Sequence, residues 1–280
     1  MEAGALTGAG EACAAARAAV GALDAPWFES IRPWATRSDP RPEGRIDLAL
    51  LNRFAGDRGL CNEDGRPLRF VEAGRGRAQP YERSVGDAGT VPTRVHGPGM
   101  LHDWFNALAW LAFPRTKARL NRLHCDALAD GRPARAGRGP LRDAATLLDE
   151  SGALFVCRDP ALSAGLRLRD WRALFVDGRD RFTAGAAVRV LGHGLHEKLL
   201  APYKALCAHA WVVELAPGST VSPSGDELDA AVAAALRPQT LHATALCPLP
   251  LLGVPGWCEA NADPAFYDDP GVFRPGRRAR

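Results

Sequence analysis

The segment GHGLHEKLLAP (192–202) places two imidazoles, a carboxylate and an amine within the six positions His193–Lys198. Wound as a helix from His193, that residue lies over Glu197 one turn on, and His196 sits next to Glu197. Imidazole and carboxylate groups this close can hold a divalent metal or move protons. The order H-x-x-H-E matches neither H-E-x-x-H nor H-x-x-E-H, so a zincin-type protease is not expected.

Three further stretches carry polar stripes on otherwise apolar patterns. In MLHDWFNALAWLAF (100–113), Trp104, Leu108, Leu111 and Ala112 share one helical face, while His102, Asp103, Asn106 and Trp110 fall on the opposite arc. In RTKARLNRLHCDAL (115–128), Lys117, Asn121 and His124 align beside the apolar edge of Leu120, Leu123 and Ala127. In LRDAATLLDE (141–150), Arg142, Thr146 and Asp149 occupy one side, with Asp143 and Glu150 next to it. Asp149 and Glu150 fall in the last turn, where the negative end of a helix disfavours carboxylates. Arg142, a cation from elsewhere or a metal must compensate, unless DESG is simply a solvated turn ending at Gly152. For His102 and Asp103 the bland alternative is an exposed N-terminal turn whose acid suits the helix dipole.

These stripes need elements to position them. Helical patterns cover 9–23, 46–57, 100–113, 115–128, 141–150 and 227–237. Strand patterns cover 68–73 and 151–157, and 187–194 and 207–215 also read as strands. Residues 171–176 suit a helical turn, and 247–280 read as an irregular, Pro- and aromatic-rich wrap. The order is not a regular β–α alternation, which predicts an α+β fold, helix-rich with a small sheet. A length of 280 residues fits a single domain over 1–280, with residues 1–25 as a loosely attached N-terminal helix.

Composition narrows the classes. Hydrophobic content of 46% and charged content of 24% are ordinary for a globular chain, and a formal charge of +3 is too small to imply a nucleic-acid partner. Lys117, Lys198 and Lys204 are the only lysines, so the arginine excess is uniform and points to no one site. Seven scattered cysteines without a C-x-x-C pair suggest neither a zinc ribbon nor a disulfide framework. The uncharged run 238–258 is broken by four prolines, so no membrane span is expected and a cytoplasmic location is.

Taken in order, YERSVGDAGTVPTR, HDWFNALAWLAFPRTKARLNRLH, RGPLRDAATLLDESG, GHGLHEKLLAP and the tail PLLGVPGW…FYDDPGVFRP resemble a bacterial family catalogued as domain of unknown function 3025. The resemblance runs from about Leu50 to Arg274. It brings no activity with it. It marks His102, Asp103, Asn106, Asn121, His124, Arg142, Asp143, Asp149, Glu150, His193, Glu197 and Lys198 as motif positions, and leaves His196 outside them.

The resulting expectation is a metal-dependent hydrolase or transferase acting on a phosphate- or carboxylate-bearing substrate. His102, His124, Asp149, Glu150 and His193 are the candidate ligands of a divalent metal. Asp103, Arg142, Glu197 and Lys198 are the candidate catalytic groups, with Arg142 or Lys198 holding the substrate anion. Asn106, Asn121 and Asp143 are further polar candidates. One rival is an RNA-binding protein without a metal, using Arg132, Arg135, Arg138, Arg142 and Lys117 on phosphates. Another is a buried polar network that only fixes the fold.

Overall fold

The structure, a computed structural model, describes residues 23–38, 44–74, 79–129, 139–216, 219 and 225–276. Its elements run α1 (Arg32–Ala35), α2 (Leu48–Asp57), β1 (Arg69–Glu72), α3 (Tyr81–Ala88), β2 (Thr90–Thr93), α4 (Met100–Ala112), α5 (Pro114–Ala129), α6 (Pro140–Ser151), β3 (Gly152–Cys157), α7 (Pro160–Leu168), α8 (Trp171–Phe175), α9 (Arg179–Gly185), β4 (Ala186–Val190), α10 (His193–Lys198), β5 (Cys207–Glu214), α11 (Gly225–Ala235) and β6 (Cys247–Pro250). Strands β1 and β2 form a parallel pair, and the other four order as β4-β3-β5-β6. Within the larger sheet β3 runs antiparallel to β4 and parallel to β5, and β6 runs antiparallel to β5. Helices and small sheets are interspersed without βαβ regularity, the α+β arrangement expected from the sequence.

Every residue of GALFVC in β3 is buried, which is why this strand reads as an unbroken apolar run rather than an alternation. Helix α4 is apolar almost all round, with ten of its thirteen residues buried, including Trp104, Phe105 and Trp110. Each such large side chain contributes roughly 1.5–3 kcal/mol on burial, enough to fix the register of the helix. Asn106 is carried inside with them and must find partners there.

The corner between α4 and α5 is made at Phe113 (φ −130°, ψ 58°), and Pro114 opens α5, where a missing N–H costs nothing. The next free N–H groups, of Arg115 and Thr116, donate to the buried carboxylate of Asp229 on α11 at 2.8 Å each. A residue more than a hundred positions away therefore caps α5 and sets its direction.

Several elements differ from the sequence-based expectation. Helix α3 buries only Ser84 and Val85, too little to give an apolar period, and β2 follows it at once. Helix α7 has its signal in Asp159 and Pro160: the carboxylate accepts from Ala161 N, and the proline takes the first turn. The strand expected over 187–194 ends at Val190, and the GHG run opens α10 instead. Residues 247–250, expected to be part of an irregular wrap, form an edge strand whose two prolines are tolerated there. The helix expected over 9–23 lies outside the described residues except for the buried Leu23. Among the described residues no helix is long and apolar enough to cross a membrane.

Candidate functional site

Helices α4, α6 and α10 meet at their polar positions. His102 comes from the first turn of α4, Glu150 from the last turn of α6, and His193 is the first residue of α10. His102 Nε2 and His193 Nε2 are 3.1 Å apart, and Glu150 Oε1 lies 3.5 Å from His193 Nε2 and 3.9 Å from His102 Nε2. One potential ligand atom from each residue falls within 4.8 Å of the others.

The two glycines around His193 explain how the helices come so close. A Cβ on Gly194 would stand 2.6 Å from Glu150 Oε2, and one on Gly192 would stand 2.5 Å from Gly152 N and 2.7 Å from the Glu150 carbonyl carbon. The start of α10 therefore rests directly on the end of α6. The backbone N–H groups of Leu191 and Gly192 both donate to Gly152 O, at 3.1 and 2.9 Å, and tie this junction to the sheet.

Carboxylates back both imidazoles. His102 Nδ1 is 3.1 Å from Glu197 Oε2, and His193 Nδ1 is 3.7 Å from Asp149 Oδ2 with no hydrogen-bond partner among the described residues. The acceptor behind His102 Nδ1 favours the tautomer that carries its proton there and directs the Nε2 lone pair at the other ring and at Glu150.

From Asp149 a second chain of contacts runs inward. Lys117 Nζ, 2% exposed at the side chain, donates to Asp149 Oδ1 at 2.5 Å and to Asn106 Oδ1 at 2.9 Å. Asn106 Nδ2 and Trp110 Nε1 each donate to Tyr81 Oη at 2.9 Å. These residues line a cavity of about 310 Å³, together with His102, Glu150 and His193.

The charges are tuned accordingly. The contact with Glu197 raises the His102 pKa against the opposing effect of partial burial. Glu150 is held below the usual carboxylate value, first by its contact with His193. Burial pushes Asp149 up, but the Lys117 charge, His193 and the Lys117 hydrogen bond together outweigh it and leave its pKa lowered. Lys117 is thus the cation that the α6 C-terminus required. Burial raises Tyr81 and lowers His124.

The remaining expected site residues divide into two groups. Asp103, Asn106, Asn121, His124 and Arg142 line the same cavity. Asp103 accepts from Arg94 Nε and Nη2 at 2.9 Å and from its backbone N at 2.6 Å, so it anchors the loop before α4. Arg142 pairs with Glu82 at 3.6 Å, and Asn121 Nδ2 donates to Glu82 O at 3.1 Å. His124 is buried on α5 with Nδ1 lacking a hydrogen-bond partner among the described residues, and it is not in the three-residue cluster. The second group, Asp143 and Lys198, does not reach the cavity. Both are exposed. Arg132, Arg135 and Arg138 lie outside the described residues. His196 is stacked between Phe28 and Phe105, 5.9 Å from each ring, where burial pushes its pKa down to about 3.

Tyr81, Glu82 and Arg94 also line the cavity and were not anticipated from the sequence. All three stand in the YERSVGDAGTVPTR motif, but on a helix too weakly apolar to read and on the loop after β2.

Fold and site together define an α+β protein with a polar cavity bordered by a two-histidine, one-carboxylate cluster. The family model that matches residues 68–277 is described as "Protein of unknown function (DUF3025)", and the chain belongs to that family. No curated protein and no solved structure matches the chain.

Proposed function

We propose that the protein is a metal-dependent hydrolase or transferase acting on a small phosphate- or carboxylate-bearing substrate. The observation that carries this reading is the meeting of His102 Nε2, His193 Nε2 and Glu150 Oε1 at separations of 3.1, 3.5 and 3.9 Å. A cation among these three atoms would relieve the repulsion of their lone pairs, which a proton shared between the rings relieves only for the two imidazoles. Metal–ligand bonds of about 2.0–2.2 Å put tetrahedral ligand atoms roughly 3.3–3.6 Å apart, close to this spacing. Two histidines and one glutamate leave a coordination position for substrate or water, as catalytic rather than structural sites do.

A divalent metal bound there would supply Lewis-acid and water-activating chemistry. The chain's own residues have other tasks. Glu197 orients His102 from behind, the usual outer-shell arrangement for metal-bound histidines, and Asp149 sets a negative charge 3.7 Å from the other nitrogen of His193. Lys117 keeps Asp149 ionised, and the cavity beside the cluster gives a small substrate room. Arg94, Lys117 and Arg142 each face an acidic partner, so the cavity is not a run of uncompensated cations of the kind that grips a nucleic-acid backbone.

Tag-free protein assayed on generic phosphoesters and acyl esters, with and without Mg, Mn and Zn, tests this reading. Turnover that needs one of these metals and vanishes in His193→Ala is expected. Inertness with every metal, in a protein that binds none of them, would overturn it.

A further inference from the structure

The hydroxyl proton of Tyr81 is left over once the network is assigned. Lys117 Nζ can only donate, so the Asn106 atom it meets at 2.9 Å is the amide oxygen, and the amide nitrogen must face Tyr81. The Trp110 indole N–H is also a donor only, and it too ends on Tyr81 Oη at 2.9 Å. Two donors therefore occupy the phenol oxygen as acceptor. Its own O–H has no acceptor among the described residues, although Tyr81 lines the cavity that contains the cluster.

Neither of the other donors can reverse its role. Asn106 is locked by the ammonium of Lys117, which is in turn locked by Asp149. The phenol is thus a fixed, single-proton donor, and burial keeps it neutral beyond the range where phenols ordinarily ionise.

We infer that Tyr81 O–H binds an oxygen of the substrate's anionic group, phosphoryl or carboxylate, inside this cavity. A ligand presenting an ammonium or another donor without a free lone pair to Tyr81 would meet proton against proton and be rejected. Tyr81 is then a residue that selects substrates by acceptor atoms. The inference rests on the proposed function only in taking the substrate into this same cavity, since the donor assignment does not involve a metal.

The test uses inorganic phosphate and, separately, acetate as probes of the full chain, both metal-free and zinc-loaded. The protein has three tyrosines, so labelling tyrosine with carbon-13 at Cζ gives three signals. One of them, Tyr81, is expected to shift saturably with the anion in wild type, where folding is not in question. Tyr81→Phe is expected to weaken anion binding about tenfold or more, the usual size for a hydrogen bond to a charged group. The stronger of the two probes tells a phosphoryl from a carboxylate ligand. If zinc does not bind but the Tyr81 signal still follows the anion, the metal reading falls and this one stands. Neither probe binding to wild type, or equal binding by wild type and Tyr81→Phe with a stationary Tyr81 signal, overturns it.

Discussion

His102 Nε2 and His193 Nε2 face each other at 3.1 Å, and each imidazole has a carboxylate behind its other nitrogen. The pair is held by opposed constraints: Glu197 and Asp149 from behind, and the close contact of α10 with α6 from below. In the absence of a cation, one proton shared between the rings satisfies the contact. A metal would take that proton's place, so binding should release protons and weaken as pH falls.

Glu197→Gln keeps the shape of the residue behind His102 but removes its charge. Metal affinity is expected to fall about 10–100-fold with stoichiometry unchanged, the usual cost of losing an outer-shell carboxylate. Competition against a chelator of known affinity checks it, and an unchanged affinity would deny Glu197 that role.

Gly192→Ala and Gly194→Ala should separate folding from site geometry. The Cβ at Gly192 meets the backbone of Glu150 and Gly152, which has little room to move, so a loss of about 1–3 kcal/mol or more in denaturant unfolding is expected. The Cβ at Gly194 chiefly meets the Glu150 carboxylate, which can swing away. Stability should suffer less there and metal affinity more. The reverse ranking would show that the GHG run serves packing alone.

Asp229→Ala removes the acceptor for two helix-start N–H groups on α5. A loss of about 1–3 kcal/mol is expected, read from the urea midpoint at constant slope. A change within about 0.5 kcal/mol, the usual range for an uninvolved surface site, would mean that Asp229 does not hold α5.

Tyr81 gives the alkaline limb of the stability profile. Its folded-state pKa lies above the ordinary 10.0, so its contribution is fully present below pH 10 and is lost as pH climbs from there toward the folded value. Wild type should therefore lose stability between pH 9 and 11 more steeply than Tyr81→Phe. Parallel profiles would show that the phenol is not held neutral by the fold.

Much of this site was legible as helix periodicity. The stripes holding His102, Lys117 and Asp149 follow from 100° spacing, and the carboxylates of Asp149 and Glu150 in a last turn leave a compensating cation or a solvated turn as alternatives. What local pattern does not carry is the partner. Lys117 reads as a polar group beside the apolar edge of its helix, and as a phosphate contact only under the RNA-binding alternative, while the packing of α5 on α6 brings it to Asp149, 32 positions away. His193 over Glu197 looked like a pair along one helix, yet Glu197 supports His102 across 95 positions and His193 turns to α6. Tyr81 was missed because α3 buries too few apolar groups to be seen, although its hydroxyl ends the network.

The most direct measurement is metal stoichiometry and affinity by calorimetry on tag-free wild type and Glu150→Gln, with melting of both metal-free proteins alongside. One zinc or manganese per chain is expected in wild type. Affinity should drop at least 100-fold in the variant, whose metal-free melting temperature should stay within a few degrees of wild type. No bound metal in wild type, or equal affinity in the two proteins, would contradict a metal centre at His102, Glu150 and His193.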